Sequence, residues 1–495
     1  MIISKLRQHN HILNIRFMII VSVLATTAVG AFYAGTRGIG FREIIIAVGL
    51  IIGLVSVLLG ERGIRIGFLG WILLFVLGYR TLRIPITYLA TRGFLAVKRT
   101  EFIIHPLAVL IVFLLLLLLF NQAWSNRKKI PWGIPPMVWI FSFFWVWGLV
   151  IGSMRGYPIQ EMFPDFFNFV TLLPVFVVTG YTLHNKQYWK YAVLVFYLAG
   201  FYIAAFGAVE YLFPGIIKLL PDFISTTETT SDLSGFARAR FAFWGQPAAA
   251  FVSFLALPFA LKLWEWYRHP LARLLLIGSL VVFLFGIFIA GWRSLWLGTA
   301  VMFVALAVLK RNIRSLVLVI AALVVIYSVM PIEARVRLDT LLSSLQGETV
   351  ATDSSSIVRY NRAEDALQMA IEAPLGSGWG ASGWVHSDII QLAADIGILS
   401  VVVFVIWYLT SAFALMRRYL RSPDNLTLSL LGSFVGVGLL FITQPIYVLA
   451  QLVIPVWFVW ALAHIRSKEL DDPETVMTGN PIHNLSQQPQ PEPIR

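Results

Sequence analysis

Apolar runs of near-membrane length recur along most of the chain, and they limit what it can fold into before any motif is considered. His105–Phe120 (HPLAVLIVFLLLLLLF) and Leu274–Gly291 approach the ~20 residues that cross a hydrocarbon core. Only 13% of residues are charged and 58% are hydrophobic, where a soluble domain carries about 25% charged. No segment shows the alternating, roughly ten-residue pattern of a membrane β-barrel. The expected fold class is therefore all-α: a polytopic helical membrane protein with about 12–14 transmembrane helices.

Fourteen candidate spans can be marked: 17–34, 42–59, 65–79, 103–120, 134–152, 166–181, 189–213, 243–262, 272–290, 293–309, 314–330, 388–415, 426–443 and 446–463. An even number places both termini on one side. Loops on that side hold Arg62 and Arg65, Asn126–Lys129 (NRKK), Lys186 and Lys190, Lys262 with Arg268 and Arg273, Lys310–Arg314 (KRNIR) and Met416–Arg421 (MRRYLR). The positive-inside rule makes that side cytoplasmic. Lys5, Arg7 and Arg16 before the apolar run from Phe17 resemble a signal sequence, read here as an uncleaved first span. The net charge of +13 is thus mostly a topology signal and does not point to nucleic acid. Residues 80–101 break the alternation, with Arg80, Arg83, Arg92, Lys98 and Arg99 on the outer side. Either 65–79 is not a true crossing, or an amphipathic segment lies in the interface, or these cations meet an anionic lipid-linked substrate.

Alternation leaves two long outer loops, 214–242 and 331–387, so residues 1–465 read as one transmembrane domain with these two loops. The tail 466–495 is rich in proline and poor in apolar residues, the composition of a disordered cytoplasmic segment. The outer loops and the tight Ala290–Gly298 hairpin bring four basic groups to one face: Arg240, Arg293, Arg359 and His386. A charge at membrane depth costs roughly 2.5–3.5 kcal/mol, which singles out Arg293. Clustered guanidinium forks match phosphate oxygens bidentately, so a diphosphate with its lipid tail in the bilayer would suit them. Taken singly, each arginine is equally well explained by snorkelling to headgroups. Arg362 looks like a solvated neighbour of Arg359.

His386 is the one histidine of the outer loops, and an imidazole there can take a proton from an attacking hydroxyl. Glu364 and Asp365 fall on the solvated face of a short helix, and Asp388 and Asp395 open the next apolar run. Without cysteine or a second nearby histidine, no metal site and no cofactor is expected. GSGWG (Gly376–Gly380) joins no strand to a helix and is not a phosphate-binding P-loop; close backbone approach to substrate and simple flexibility both explain it.

Several segments resemble the O-antigen ligase and O-antigen polymerase superfamily: ARFAFWGQPAAAFVSFLALP, GWRSLWLG, the run from Arg359 through DALQMAIEAPLGSGWG, and HSDIIQLAADIGIL. The resemblance covers about residues 235–410. It implies a bacterial inner-membrane glycosyltransferase of the C-type, metal-independent, with a large periplasmic loop. Such enzymes transfer a glycan from undecaprenyl diphosphate to lipid A–core or to a growing polysaccharide. By position, His386 and Arg293 take the catalytic places, and Arg240 and Arg359 the diphosphate-binding places. The chain departs from the pattern near Glu364, where a tryptophan is usual, at Asp395 in place of glutamate, and at Gln246 in place of asparagine. The implied partners are the undecaprenyl-diphosphate-linked glycan, an acceptor glycolipid or glycan, and membrane lipids. A single displacement at the anomeric carbon predicts inversion. The competing class is a transporter or flippase of lipid-linked glycans, which would alternate its access instead of holding one outward site. A third, a membrane scaffold, would leave the arginines unclustered.

Overall fold

The computed structural model describes residues 41–77, 82–85, 101–104, 106–125, 134–213, 250–311, 354–383, 385–447 and 450–468. The expected spans 17–34 and 314–330 lie outside these, as do Arg240 and most of both outer loops. In chain order the helices are α1 (Phe41–Leu58), α2 (Glu61–Leu73), α3 (Pro106–Ser125), α4 (Pro136–Met154), α5 (Ile159–Val170), α6 (Leu172–Leu183) and α7 (Gln187–Leu212). Then follow α8 (Ala250–Ala256), α9 (Ala260–Trp266), α10 (Pro270–Ile289), α11 (Arg293–Leu309), α12 (Ser354–Glu372), α13 (Asp388–Ile396), α14 (Ile398–Arg421), α15 (Asn425–Thr443) and α16 (Ala450–Lys468). Among the described residues, six stretches are long and apolar enough to cross a membrane: 136–154, 165–183, 187–212, 270–289, 398–421 and 425–443. Shorter apolar helices cover 49–58, 107–123 and 293–309. The protein is a polytopic helical membrane protein.

One element was not anticipated. Strands β1 (Leu82–Pro85) and β2 (Glu101–Ile104) pair antiparallel, Leu82 opposite Ile104, and β2 packs against α5. The pair closes the cation-rich segment that broke the charge alternation; residues 86–100 between the strands are outside the described ones.

Helices α11 and α14 each run antiparallel to α15, which gives this group two distinct ends. Gly298 of α11 lies beside Gly436 of α15 and Gly432 beside Leu306, and the Tyr419 hydroxyl reaches the Leu309 carbonyl at 3.5 Å. Small residues let these backbones approach where lipid gives no hydrophobic drive between helices. The α11 start, the α15 end and the α13–α14 junction thus share one end of the bundle.

Helix α16 is apolar on every face, which requires surroundings that are apolar on every face. It is enclosed by protein from Leu452 to Ala463, with Trp460 stacked on Trp407 at 4.1 Å. Helix α14 is instead one-sided: Phe404, Trp407 and Leu415 are buried, while Leu399, Leu409 and Phe413 face outward to lipid. The expected span 243–262 is interrupted by a 3-10 turn at Leu257–Phe259, where Pro258 cannot donate a backbone bond. Serines of α15 take up the carbonyls: Ser429 Oγ donates to Pro258 O (2.7 Å) and Ser433 Oγ to Leu255 O (3.2 Å).

The expected span 388–415 is two helices. Gly397, at φ +97°, turns the chain between α13 and α14, and a Cβ there would lie 2.7 Å from the Leu375 carbonyl carbon. The nine residues of α13 are too few to cross a bilayer, and the crossing helix begins at Ile398.

Candidate active site

The glycine-rich segment after α12 is a built turn rather than a free loop. Ser377 N donates to Ala394 O (2.9 Å), Gly378 N to Asp395 O (2.8 Å), and Ile398 N to Pro374 O (3.0 Å), folding residues 374–378 over the end of α13. Gly378, at φ +113°, passes so close to Gly152 of α4 that a Cβ would collide with the Gly152 Cα. The Asp395 carboxylate, fully buried, gathers the next turn: it accepts from Gly380 N (3.2 Å), Ser382 N (3.0 Å), Ser382 Oγ (2.8 Å) and the Tyr447 hydroxyl (3.3 Å). Gln391 continues the clamp, donating to Gly383 O (2.8 Å) and accepting from Val385 N (3.4 Å). A carboxylate with several donors can stay buried where an isolated charge could not. The glycines of GSGWG let this backbone pack closely against α4 and the end of α13.

This turn delivers His386. It precedes Ser387, whose Oγ caps α13 by accepting from Ile390 N (3.4 Å), and its ring is half-buried. Helix α12 lies across α13 with its small face, Ala363, Ala366 and Ala370, against Val385, Ile390 and Ala394. Arg359 falls on the same face, at the i−4 and i−7 positions from Ala363 and Ala366, so the packing that seats the alanines also turns Arg359 toward His386. Burial, then the charges of Arg359 and Arg362, lower the His386 pKa to about 4, so its imidazole is neutral near pH 7. Arg362 is exposed, as a solvated neighbour should be, yet its charge reaches the histidine. Glu364 and Asp365 are exposed, as expected.

Arg293 is the first residue of α11, half-buried, after the Gly291–Trp292 turn. The adjacent Ser294 Oγ receives a hydrogen bond from Gln444 Nε2. Gln444 opens the short connection to α16, whose Tyr447 donates from its backbone N to Asp388 Oδ1 (3.2 Å) and from its hydroxyl to Asp395. Asn168 of α5 in turn donates to Tyr447 O (3.2 Å). Residues 444–447 therefore join the start of α11 to α13. Of the four expected site residues, Arg359 and His386 are brought together, Arg293 is tied to the same end through this connection, and Arg240 lies outside the described residues.

Sequence reading missed the bracing set. Asp388 and Asp395 stood out in the sequence only as acids opening an apolar run, and nothing there marked Gln444, Tyr447 or Arg155. Arg155 caps α4 and donates from Nη1 to Ser377 Oγ (3.1 Å), adding a cation beside the glycine turn. A glycine run followed by a carboxylate two turns into the next apolar helix was the available signal for Asp395. Nothing local marked Tyr447, which acts across more than fifty residues. Among the described residues, no three His, Asp or Glu side chains converge as a metal-ligand set.

Residues 278–405 match the family model described as O-antigen ligase. No curated protein matches the chain. The match supports a membrane enzyme of the glycosyltransferase kind that handles lipid-linked glycans and their acceptors. Arg293, Arg359 and His386 all fall within the matched stretch, over which the chain is similar to the O-antigen ligase family.

Proposed function

We propose that the protein transfers a glycan from undecaprenyl diphosphate to an acceptor hydroxyl, on lipid A–core or on a growing polysaccharide, at the periplasmic face of a bacterial inner membrane. The observation that carries this reading is a neutral His386 held beside Arg359 and Arg362 on a braced turn, within the stretch that matches the O-antigen ligase family. The acceptor oxygen forms its bond to the anomeric carbon from the face opposite the diphosphate, giving inversion. The carbon–oxygen bond to the diphosphate breaks with its electron pair, and undecaprenyl diphosphate departs. Arg293 and Arg359, with Arg240 as a further candidate, stabilise that charge as fixed cations, so no metal is required for this role. His386 accepts the proton of the acceptor hydroxyl.

A base with a pKa near 4 is weak in the empty site, and bound substrate relieves the part of that shift that the arginines cause. An arriving diphosphate offsets the arginine charges that help keep the imidazole neutral, so its basicity rises as the acceptor is presented. The test is a transfer assay on the full chain in nanodiscs, with a lipid-diphosphate glycan and either acceptor. His386→Ala and Arg293→Ala, correctly inserted, are expected to lose about 10²-fold or more in rate. Wild-type transfer by both variants would overturn the reading. Movement of the donor across the bilayer without an acceptor would identify a flippase instead.

A further inference from the structure

Helix α12 has a face that the site does not use. Its small face packs on α13, and a polar stripe of Asn361, Asp365, Gln368 and Glu372 is exposed, with Gln368 Nε2 donating to Glu372 (2.9 Å). A third stripe is apolar: Tyr360, Leu367 and Ile371 at i, i+7 and i+11, continued past the helix by Leu375, are 59%, 49%, 61% and 62% exposed. Only Glu364 interrupts it.

What covers this stripe follows from where it leads. The Leu375 carbonyl accepts from Trp147 Nε1 of α4 (2.9 Å), and the Pro374 carbonyl from Ile398 N at the start of α14 (3.0 Å). Ile398 and Leu399 open the outward apolar face of α14 that runs on through Val402, Ile406, Leu409 and Phe413. Phe143, Val146 and Val150 line the neighbouring outward face of α4. The stripe on α12 is thus continuous with the exposed apolar faces of two helices long and apolar enough to cross a membrane. A helix with one apolar and one polar face at such a junction lies in the interface plane, its apolar side roughly 5–10 Å into the headgroup–acyl boundary. Glu364 sets a limit on depth, since an acid is tolerated among headgroups and not among acyl chains.

We infer that α12 is an interfacial helix, resting on the bilayer surface with Tyr360, Leu367, Ile371 and Leu375 in contact with phospholipid. This contact sets the height of Arg359 on the opposite flank, and it depends on the fold alone rather than on the transfer reaction.

The chain has no cysteine, so single-cysteine variants label uniquely. Bimane is placed at Ile371→Cys and Leu375→Cys, and at Asp365→Cys and Gln368→Cys on the polar stripe, in the full chain in nanodiscs of phosphatidylethanolamine and phosphatidylglycerol. All four sites are exposed, so none tests core packing; Leu367→Cys serves as a third apolar position. Labels on the apolar stripe are expected to be quenched at least ~3-fold more by a headgroup-proximal nitroxide lipid than by aqueous iodide, with the reverse order on the polar stripe. Equal iodide quenching of both stripes overturns the inference. So does shielding of the apolar stripe from both quenchers, which would mean that a protein segment or a second copy covers it.

Discussion

At the end of the bundle where α14 meets α15, cations are held pairwise. Arg466 Nη2 lies 3.2 Å and Arg418 Nε 4.0 Å from Asp424, and Lys262 lies 2.7 Å from Glu265. Others sit over rings: Arg65 above Tyr181 and Tyr188 at 5.5 and 5.4 Å, Lys190 above Tyr267 at 4.9 Å, and Arg273 above Trp264 at 5.0 Å. At the opposite end, Arg359 and Arg362 act together on one half-buried histidine, while the carboxylates Asp388 and Asp395 bind backbone and hydroxyl groups. The first arrangement neutralises charge locally and suits anchorage. The second bonds its buried carboxylates to backbone and hydroxyl groups and sets two arginine charges against His386. The number of basic residues does not distinguish the ends; what the carboxylates are bonded to does.

The sharpest way to break this contrast is mutation at both ends. His386→Ala and Arg293→Ala should lower transfer about 10²-fold or more, while Arg466→Gln and Lys262→Gln, correctly inserted, stay within about twofold. Equal losses at the two ends would mean that charge at the site end is as structural as at the other. The next largest effect concerns pH. For the empty site the acid limb, read in kcat/KM, should fall near pH 4, because neutral His386 persists down to about that value. The limb in kcat should lie higher, by the part of the shift that the arginines cause, once bound diphosphate offsets them. Coincident limbs would remove the coupling between Arg359 and His386. The sign for stability is opposite to that of a paired histidine. Between pH 6.5 and about 4 the unfolded chain takes up a proton that the folded site resists, so stability falls as pH drops through that window.

Smaller effects test the bracing. Asp424 accepts from Leu426 N, Thr427 N and Thr427 Oγ as the cap of α15. Burial alone would push its carboxyl up, and Arg466 with the Thr427 donors holds it below the usual range. Asp424→Ala should cost about 1–2 kcal/mol in thermal unfolding, with the rate per folded molecule unchanged. Tyr447→Phe removes one of four donors to Asp395 and should cost about 1 kcal/mol of stability, with a severalfold loss in transfer as the His386 turn loosens. A Tyr447→Phe variant that is less stable but fully active would make the brace purely structural.

Much of this was legible in the sequence. The run 293–309 appears as a helix with those bounds, and 426–443 begins one residue earlier. Apolar length is what a span needs, and length is directly readable. The break at Gly397 was missed because apolar residues continue on both sides of it and hydropathy carries no dihedral angle, although a glycine following a helical run was the cue. The last helix runs to Lys468, so Arg466, placed at the head of a tail by composition, faces Asp424 instead. Arg359 and His386 were legible because the loop concentrates polar residues amid apolar ones. Tyr447 and Gln444 were not, since their partners lie in distant spans and only the assembled bundle brings them near.

The turn at Gly397 also bears on how the chain is made. Were 388–415 one continuous crossing, the insertion machinery would have to pass Asp388 and Asp395 into lipid before any partner existed to receive them. Because the chain turns there, the segment that enters is 398–421, which carries its charges only in its final turns. Helix α13 is not part of that crossing, and its two acids find donors in the assembled bundle, Tyr447 ahead of the last helix among them.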